Sequence, residues 1–122
     1  MSTSNSPIAW TEIPADDFSR AVAFYQNILD VEITTQDLGE LKMGTFGGDY
    51  TGLAICRHPQ FYFPGEQGPV VFLRAGDKME EILSRVEVAG GTIVIPRREI
   101  GGGAGFMALF KDSEGNRIGV RR

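Results

Sequence analysis

The chain has one cysteine, Cys56, and one histidine, His58, in 122 residues. A lone thiol cannot close a disulfide within the chain, and without a second thiol it suggests no zinc site. Basic residues are outnumbered, 12 Lys and Arg against 16 Asp and Glu, for a net charge of −4. Nucleic-acid backbones require a basic surface and anionic bilayers attract one, so neither is expected as a partner. No apolar run approaches the ~20 residues needed to cross a bilayer. The opening Met1-Ser2-Thr3-Ser4-Asn5-Ser6 is polar and lacks the apolar core of a secretory signal, so a cytoplasmic location is expected.

What is present reads as one globular domain over 1–122. The composition, 42% apolar and 23% charged, suits a packed core with a polar surface, and the length suffices to build that core without staples. Ile8 to Ile13 is a β-type run closed by Pro14. Asp17 then stands where a helix N-cap belongs, ahead of Phe18, Ala21, Val22, Tyr25, Ile28 and Leu29 at helical spacing. Three strand-like runs follow, at Val31–Thr35, Leu41–Phe46 and Gly52–Arg57, separated by Gly39, Gly47, Gly48 and Asp49.

The order then recurs. Pro69–Ala75 is a strand, and Asp77 is placed to cap a second helix, with Glu80 completing a capping box. Met79, Ile82, Leu83 and Val86 make that helix's apolar stripe, and Gly90-Gly91 ends it. Thr92–Ile95, Gly105–Phe110 and Arg117–Arg121 close the set. A constant offset matches Ala15 with Ala75, Asp17 with Asp77 and Ile33 with Ile93. The reading is α+β: two tandem βαβββ modules forming curved mixed sheets. Module one runs about 8–57 and module two about 69–122, with a linker at 58–68. A four-stranded sheet alone cannot bury both faces, so the modules should pack together.

The strand, acidic cap and helix carrying Phe24-Tyr25 resemble the opening of vicinal-oxygen-chelate proteins. The run Phe110-Lys111-Asp112-Ser113-Glu114-Gly115-Asn116-Arg117-Ile118-Gly119 resembles their closing hairpin. The resemblance spans Ile8 to Arg121 and names the glyoxalase/bleomycin-resistance superfamily, whose modules curl into cups. It implies a divalent metal held by His, Gln or Glu on the first and last strands of each module, polarising the oxygens of a substrate. It also implies a homodimer in which modules of two chains face each other.

Carried over one position at a time, the implied ligands fall on Trp10, Ala54, Val70 and Gly119, none of which offers a donor to a cation. No metal and no other cofactor is therefore expected. Side chains alternate along a strand, so each of these positions brings neighbours onto the same face. The candidate pocket is Trp10, Glu12, Ala54, Cys56, His58, Val70, Phe72, Arg74, Arg117 and Gly119, with Arg121 beside it. Ile13, Leu53, Ile55, Val71, Leu73, Ile118 and Val120 face the helices.

Glu12 reads either as a group that orients a ligand or acts as general base, or as half of an ion pair with Arg74, Arg117 or Arg121. Trp10 is expected to wall the cup, and its truncation to cost the ~3–5 kcal/mol of a buried aromatic. His58 reads as an exposed loop residue or a contact on the rim. Cys56 reads as a small core residue. Phe61-Tyr62-Phe63 is an aromatic cluster that covers the cup, meets a second subunit, or folds back on its own core. Gly101 to Gly105 precedes a strand, so it is not a phosphate loop; it is a flap beside the cup or a plain turn. The expected function is metal-free binding of an unidentified apolar or aromatic small molecule. A metal-dependent glyoxalase-, epimerase- or dioxygenase-like enzyme, and a metal-free enzyme using Glu12, stand as alternatives.

Overall fold

A computed structural model of the chain describes residues 6–122. Two sheets of four strands are present. The first comprises β1 (Thr11–Pro14), β2 (Ile33–Leu38), β3 (Leu41–Phe46) and β4 (Leu53–Arg57), in the order β1-β4-β3-β2. The second comprises β5 (Val71–Arg74), β6 (Thr92–Glu99), β7 (Phe106–Lys111) and β8 (Arg117–Arg121), in the order β5-β8-β7-β6. Helix α1 (Phe18–Leu29) follows β1, and α2 (Met79–Val86) follows β5. In each sheet the first strand pairs parallel to the last and the other pairs are antiparallel. This is the α+β, twice-repeated βαβββ architecture that the sequence leads one to expect.

Each sheet has one face against the helices. Ile13, Ile55, Phe46 and Ile33 form that face in the first sheet, and Leu73, Ile118, Val120, Ala108 and Phe110 in the second; all are buried. Helix α1 joins the two halves. Its Phe24 packs on Phe110 of β7 at 6.0 Å between ring centroids, while the adjacent Tyr25 packs on Phe46 of β3 at 5.6 Å. The strand edges exposed by this arrangement are β1 and β5 on one side and β2 and β6 on the other. Pro14, which cannot donate to a ladder, sits on an edge strand accordingly.

The helix caps differ. Asp17 accepts from the Arg20 amide at 3.1 Å and caps α1 as expected. Asp77 does not cap α2. It lies in a 3₁₀ turn, Gly76–Lys78, and α2 begins at Met79 with Lys78 at the N-cap position and no side-chain cap. Glu80, the other half of the expected capping box, instead pairs with Arg97 at 2.8 Å. The C-terminal stop is as read: the Gly91 amide reaches the Val86 carbonyl and the Gly90 amide the Glu87 carbonyl, with Gly90 at φ 112. The first strand is shorter than expected, so Ile8 and Trp10 precede it. β6 is longer, running on to Glu99.

Candidate functional site

Residues from the two edge strands β1 and β5, from β8 and from the linker line one cavity of about 640 Å³. Its apolar lining includes Ile8, Trp10, Phe63, Val70 and Phe72; its charged lining is Glu12 and Arg117. Trp10 and Phe72 remain 46% and 42% exposed. The buried-aromatic cost expected for Trp10 therefore does not apply, because only about half of its surface leaves water.

Glu12 shares a face with Trp10, and the helix-packing Ile13 lies on the other. One Glu12 oxygen accepts from the Tyr62 hydroxyl at 2.6 Å and the other from the Trp10 indole N–H at 3.1 Å. The expected ion pair with Arg74, Arg117 or Arg121 does not form: among the described residues the partners of Glu12 are neutral, Tyr62, Trp10 and the Cys56 thiol, and none is a cation. Donation to Glu12, and then burial, raises the Tyr62 pKa. Tyr62 also contacts the Cys56 thiol, whose pKa burial pushes up to about 11. Cys56 is thus a protonated, fully buried side chain at neutral pH rather than a nucleophile.

The remaining candidates are dispersed. Ala54 and Cys56 point to the same side as Glu12 but are fully buried, outside the cavity lining. Gly119 lies behind Phe72; a β-carbon built on it would come within 2.5 Å of the Phe72 ring. Arg74 lines two neighbouring hollows instead. His58 stands apart in the linker, its ring 4.5 Å from that of Phe61 and its Nδ1 accepting from the Gln60 amide. The aromatic cluster divides: Phe61 and Phe63 are about 70% exposed, whereas Tyr62 turns inward to Glu12. The Gly101–Gly105 stretch forms a turn closed by Ile100 N–H to Gly105 C=O, with Ala104 beside Arg121.

The turn after β7 has a role that sequence reasoning did not assign. Glu114 accepts from the Asp16 and Asp17 amides at 2.9 and 2.8 Å and from Arg20 Nε at 2.7 Å, holding the start of α1. Burial alone would raise its pKa. The Arg20 guanidinium, the Asp17 amide and the Ser113 hydroxyl outweigh that and leave it lowered. Asp112, raised by burial, accepts from the Tyr25 hydroxyl at 2.6 Å. Asn116 donates to the Pro14 carbonyl and accepts from Gly65, tying β1 and the linker to β8. The cavity walls are thereby fixed to each other through one short turn.

A family model described as Glyoxalase/Bleomycin resistance protein/Dioxygenase superfamily matches residues 7–120. The chain belongs to this superfamily. No curated relative matches in sequence. Among solved structures, the superfamily fold recurs in a glyoxalase/bleomycin resistance protein/dioxygenase family enzyme from Burkholderia phytofirmans (TM-score 0.73, 14% identity, 95% of this chain and 98% of that one). It recurs in a hypothetical protein from S. aureus (0.71, 19%, 98% and 95%). It recurs also in the fosfomycin resistance protein FosX from Listeria monocytogenes (0.69, 17%, 95% and 90%).

Superfamily membership raises the question of a metal, and the side chains here do not suit one. Trp10, Ala54, Val70 and Gly119 supply no oxygen, nitrogen or thiolate ligand, and the Phe72 ring fills the space beside Gly119. Among the described residues no group of three or more His, Cys, Asp or Glu is placed to hold an ion.

Proposed function

We propose that the chain is a small-molecule-binding protein of the glyoxalase/bleomycin-resistance type that holds an apolar or aromatic metabolite without a metal. The supporting observation is the cavity itself: about 640 Å³ between β1 and β5, walled by Trp10, Val70 and Phe72, with isolated polar groups at Glu12 and Arg117. A concave apolar site with a few fixed polar groups is the usual form of a ligand pocket. Tyr62 and the Trp10 indole fix the Glu12 carboxylate, so it can orient a ligand's donor group.

A second reading, superfamily catalysis, draws on FosX, one structure of which was solved with Mn(II). A metal-free enzyme with Glu12 as base is the variant of it that this site's side chains accommodate better. Protein purified from metal-supplemented medium is expected to carry no stoichiometric zinc, manganese, iron or nickel on elemental analysis. About one ion per chain, lost on chelation, would establish the metal enzyme instead. A thermal-shift screen of metabolites identifies the ligand, because a molecule that binds only the folded state raises its stability by mass action.

The protein is also expected to be a homodimer. Ile8 and Phe63, each about 70% exposed, line the open cavity, and exposed apolar residues there favour a partner surface. Light scattering at micromolar concentration should give twice the 13.3 kDa chain mass; a purely monomeric species would refute this.

A further inference from the structure

The outer face of the second sheet carries three arginines on one rung. Arg74 of β5 pairs with Arg121 of β8, Arg121 with Met107 of β7, and Met107 with Arg98 of β6. Residues opposite one another on paired strands point to the same side. Arg98 reaches that side because β6 shifts register between Ile95 and Arg98, placing three residues of β6 against two of β7. The bulge parts two consecutive arginines. Arg97 goes to Glu80 of α2 and over the Phe106 ring, and Arg98 goes to the outer face.

Like charges on adjacent strands cost free energy, and among the described residues no carboxylate pairs with Arg74, Arg98 or Arg121. Neither the Arg74 nor the Arg98 guanidinium makes a hydrogen bond or ion pair among the described residues, and Arg121 meets only the Ala104 carbonyl, at 3.1 Å. Of the other cations of this face, Lys111 pairs with Glu66 at 3.5 Å, and Arg117 donates one terminal nitrogen to the Gly68 carbonyl at 3.5 Å while its buried Nε has no partner among the described residues. The chain as a whole is acidic, so the rung is a local feature. Arg74, Arg121 and Arg122 border a hollow of about 360 Å³ that also touches Phe72 and Ala104. The neighbouring rung is apolar: Phe72, Gly119, Leu109 and Ile95.

We infer that the ligand is an organic acid, its oxyanionic head on the adjacent Arg74 and Arg121 in the hollow beside the cavity and its apolar body against Phe72, which lines both. This rests on the small-molecule-binding reading above and narrows it to one chemical class. Guanidinium groups match carboxylate and related oxyanions with paired donors, and an exposed cationic rung beside an apolar one selects amphipathic anions over neutral molecules.

The test compares two fluorescent probes of similar aromatic body, the anionic 8-anilinonaphthalene-1-sulfonate and the neutral N-phenyl-1-naphthylamine. Wild type should bind the anion more tightly, and only that binding should weaken with added salt. Arg74→Gln and Arg121→Gln, both at exposed positions and checked for unchanged melting temperature, should each weaken the anion roughly tenfold and leave the neutral probe unchanged. Decanoate should displace the anionic probe where equimolar inorganic phosphate does not. Equal effects of the substitutions on both probes, no effect on either, or equal displacement by phosphate would overturn the organic-acid assignment alone. If wild type binds neither probe, the small-molecule reading itself falls.

Discussion

Replacing Glu114 by alanine is expected to destabilise the fold by about 3 kcal/mol, since bonds to a charged acceptor contribute roughly 1.5–3 kcal/mol each, two amides lose theirs, and the half-exposed Arg20 pair adds little. Its side chain is wholly inaccessible while its Arg20 partner is half exposed, so the loss falls mainly on the Asp16 and Asp17 amides at the head of α1. Urea denaturation followed by circular dichroism measures it; a change under about 0.5 kcal/mol, ordinary for a surface site, would mean the turn does not hold the helix. Glu114→Gln adds a pH signature. A carboxyl whose folded pKa lies below its unfolded value contributes stability above the unfolded value, about 4.3, and loses it as pH falls through the folded one. Asp112 has the opposite sign: burial raises its folded pKa, so ionisation costs stability at neutral pH and acidification relieves the cost. Removing the first contribution while keeping the second should make the variant lose less stability than wild type between about pH 6 and 3.

Gly119→Glu, which places a carboxylate on the last strand, is expected to destabilise the protein without creating a metal centre. Its β-carbon would meet the Phe72 ring at 2.5 Å, and such overpacking typically costs ~1–3 kcal/mol. The half-exposed ring can relieve the clash only by swinging outward, which disturbs the wall of the cavity and should weaken binding of N-phenyl-1-naphthylamine. Combining Gly119→Glu with Phe72→Ala should recover much of the lost stability, giving a non-zero coupling in a double-mutant cycle. Neither variant should be stabilised by micromolar zinc or manganese, since Trp10 and Val70 still lack donors. Metal-dependent stabilisation of the single variant would show that other side chains complete a site.

The fold was legible because its signals are local and periodic. Asp17 ahead of the Phe18–Leu29 pattern set the start of α1, and the alternation through Trp10, Glu12 and Ile13 set the faces of β1. The errors came from long-range partners. Asp77 and Glu80 have capping-box spacing, but a 3₁₀ turn at Gly76–Lys78 leads into α2 and Arg97 captures Glu80. β6 was expected to end at Ile95; it runs on to Glu99 through a bulge that contains Pro96, a residue the edge strand tolerates there. The site was only partly legible. Strand parity placed Trp10, Glu12, Val70, Phe72 and Arg117 around one cavity, yet the donors to Glu12 could not be read in full. Tyr62 reaches it from fifty residues away, and nothing distinguishes Tyr62 in sequence from Phe61 and Phe63 beside it.

Trp10 is the only tryptophan and lines the cavity, so its emission reports directly on what enters. The decisive measurement is titration of Trp10 fluorescence with N-phenyl-1-naphthylamine, before and after exhaustive treatment with EDTA. Metal-free binding predicts saturable quenching with the same midpoint in both samples, weakened by Phe72→Ala. Quenching that disappears with the chelator and returns with added manganese or zinc would contradict it, as would no saturable quenching at all.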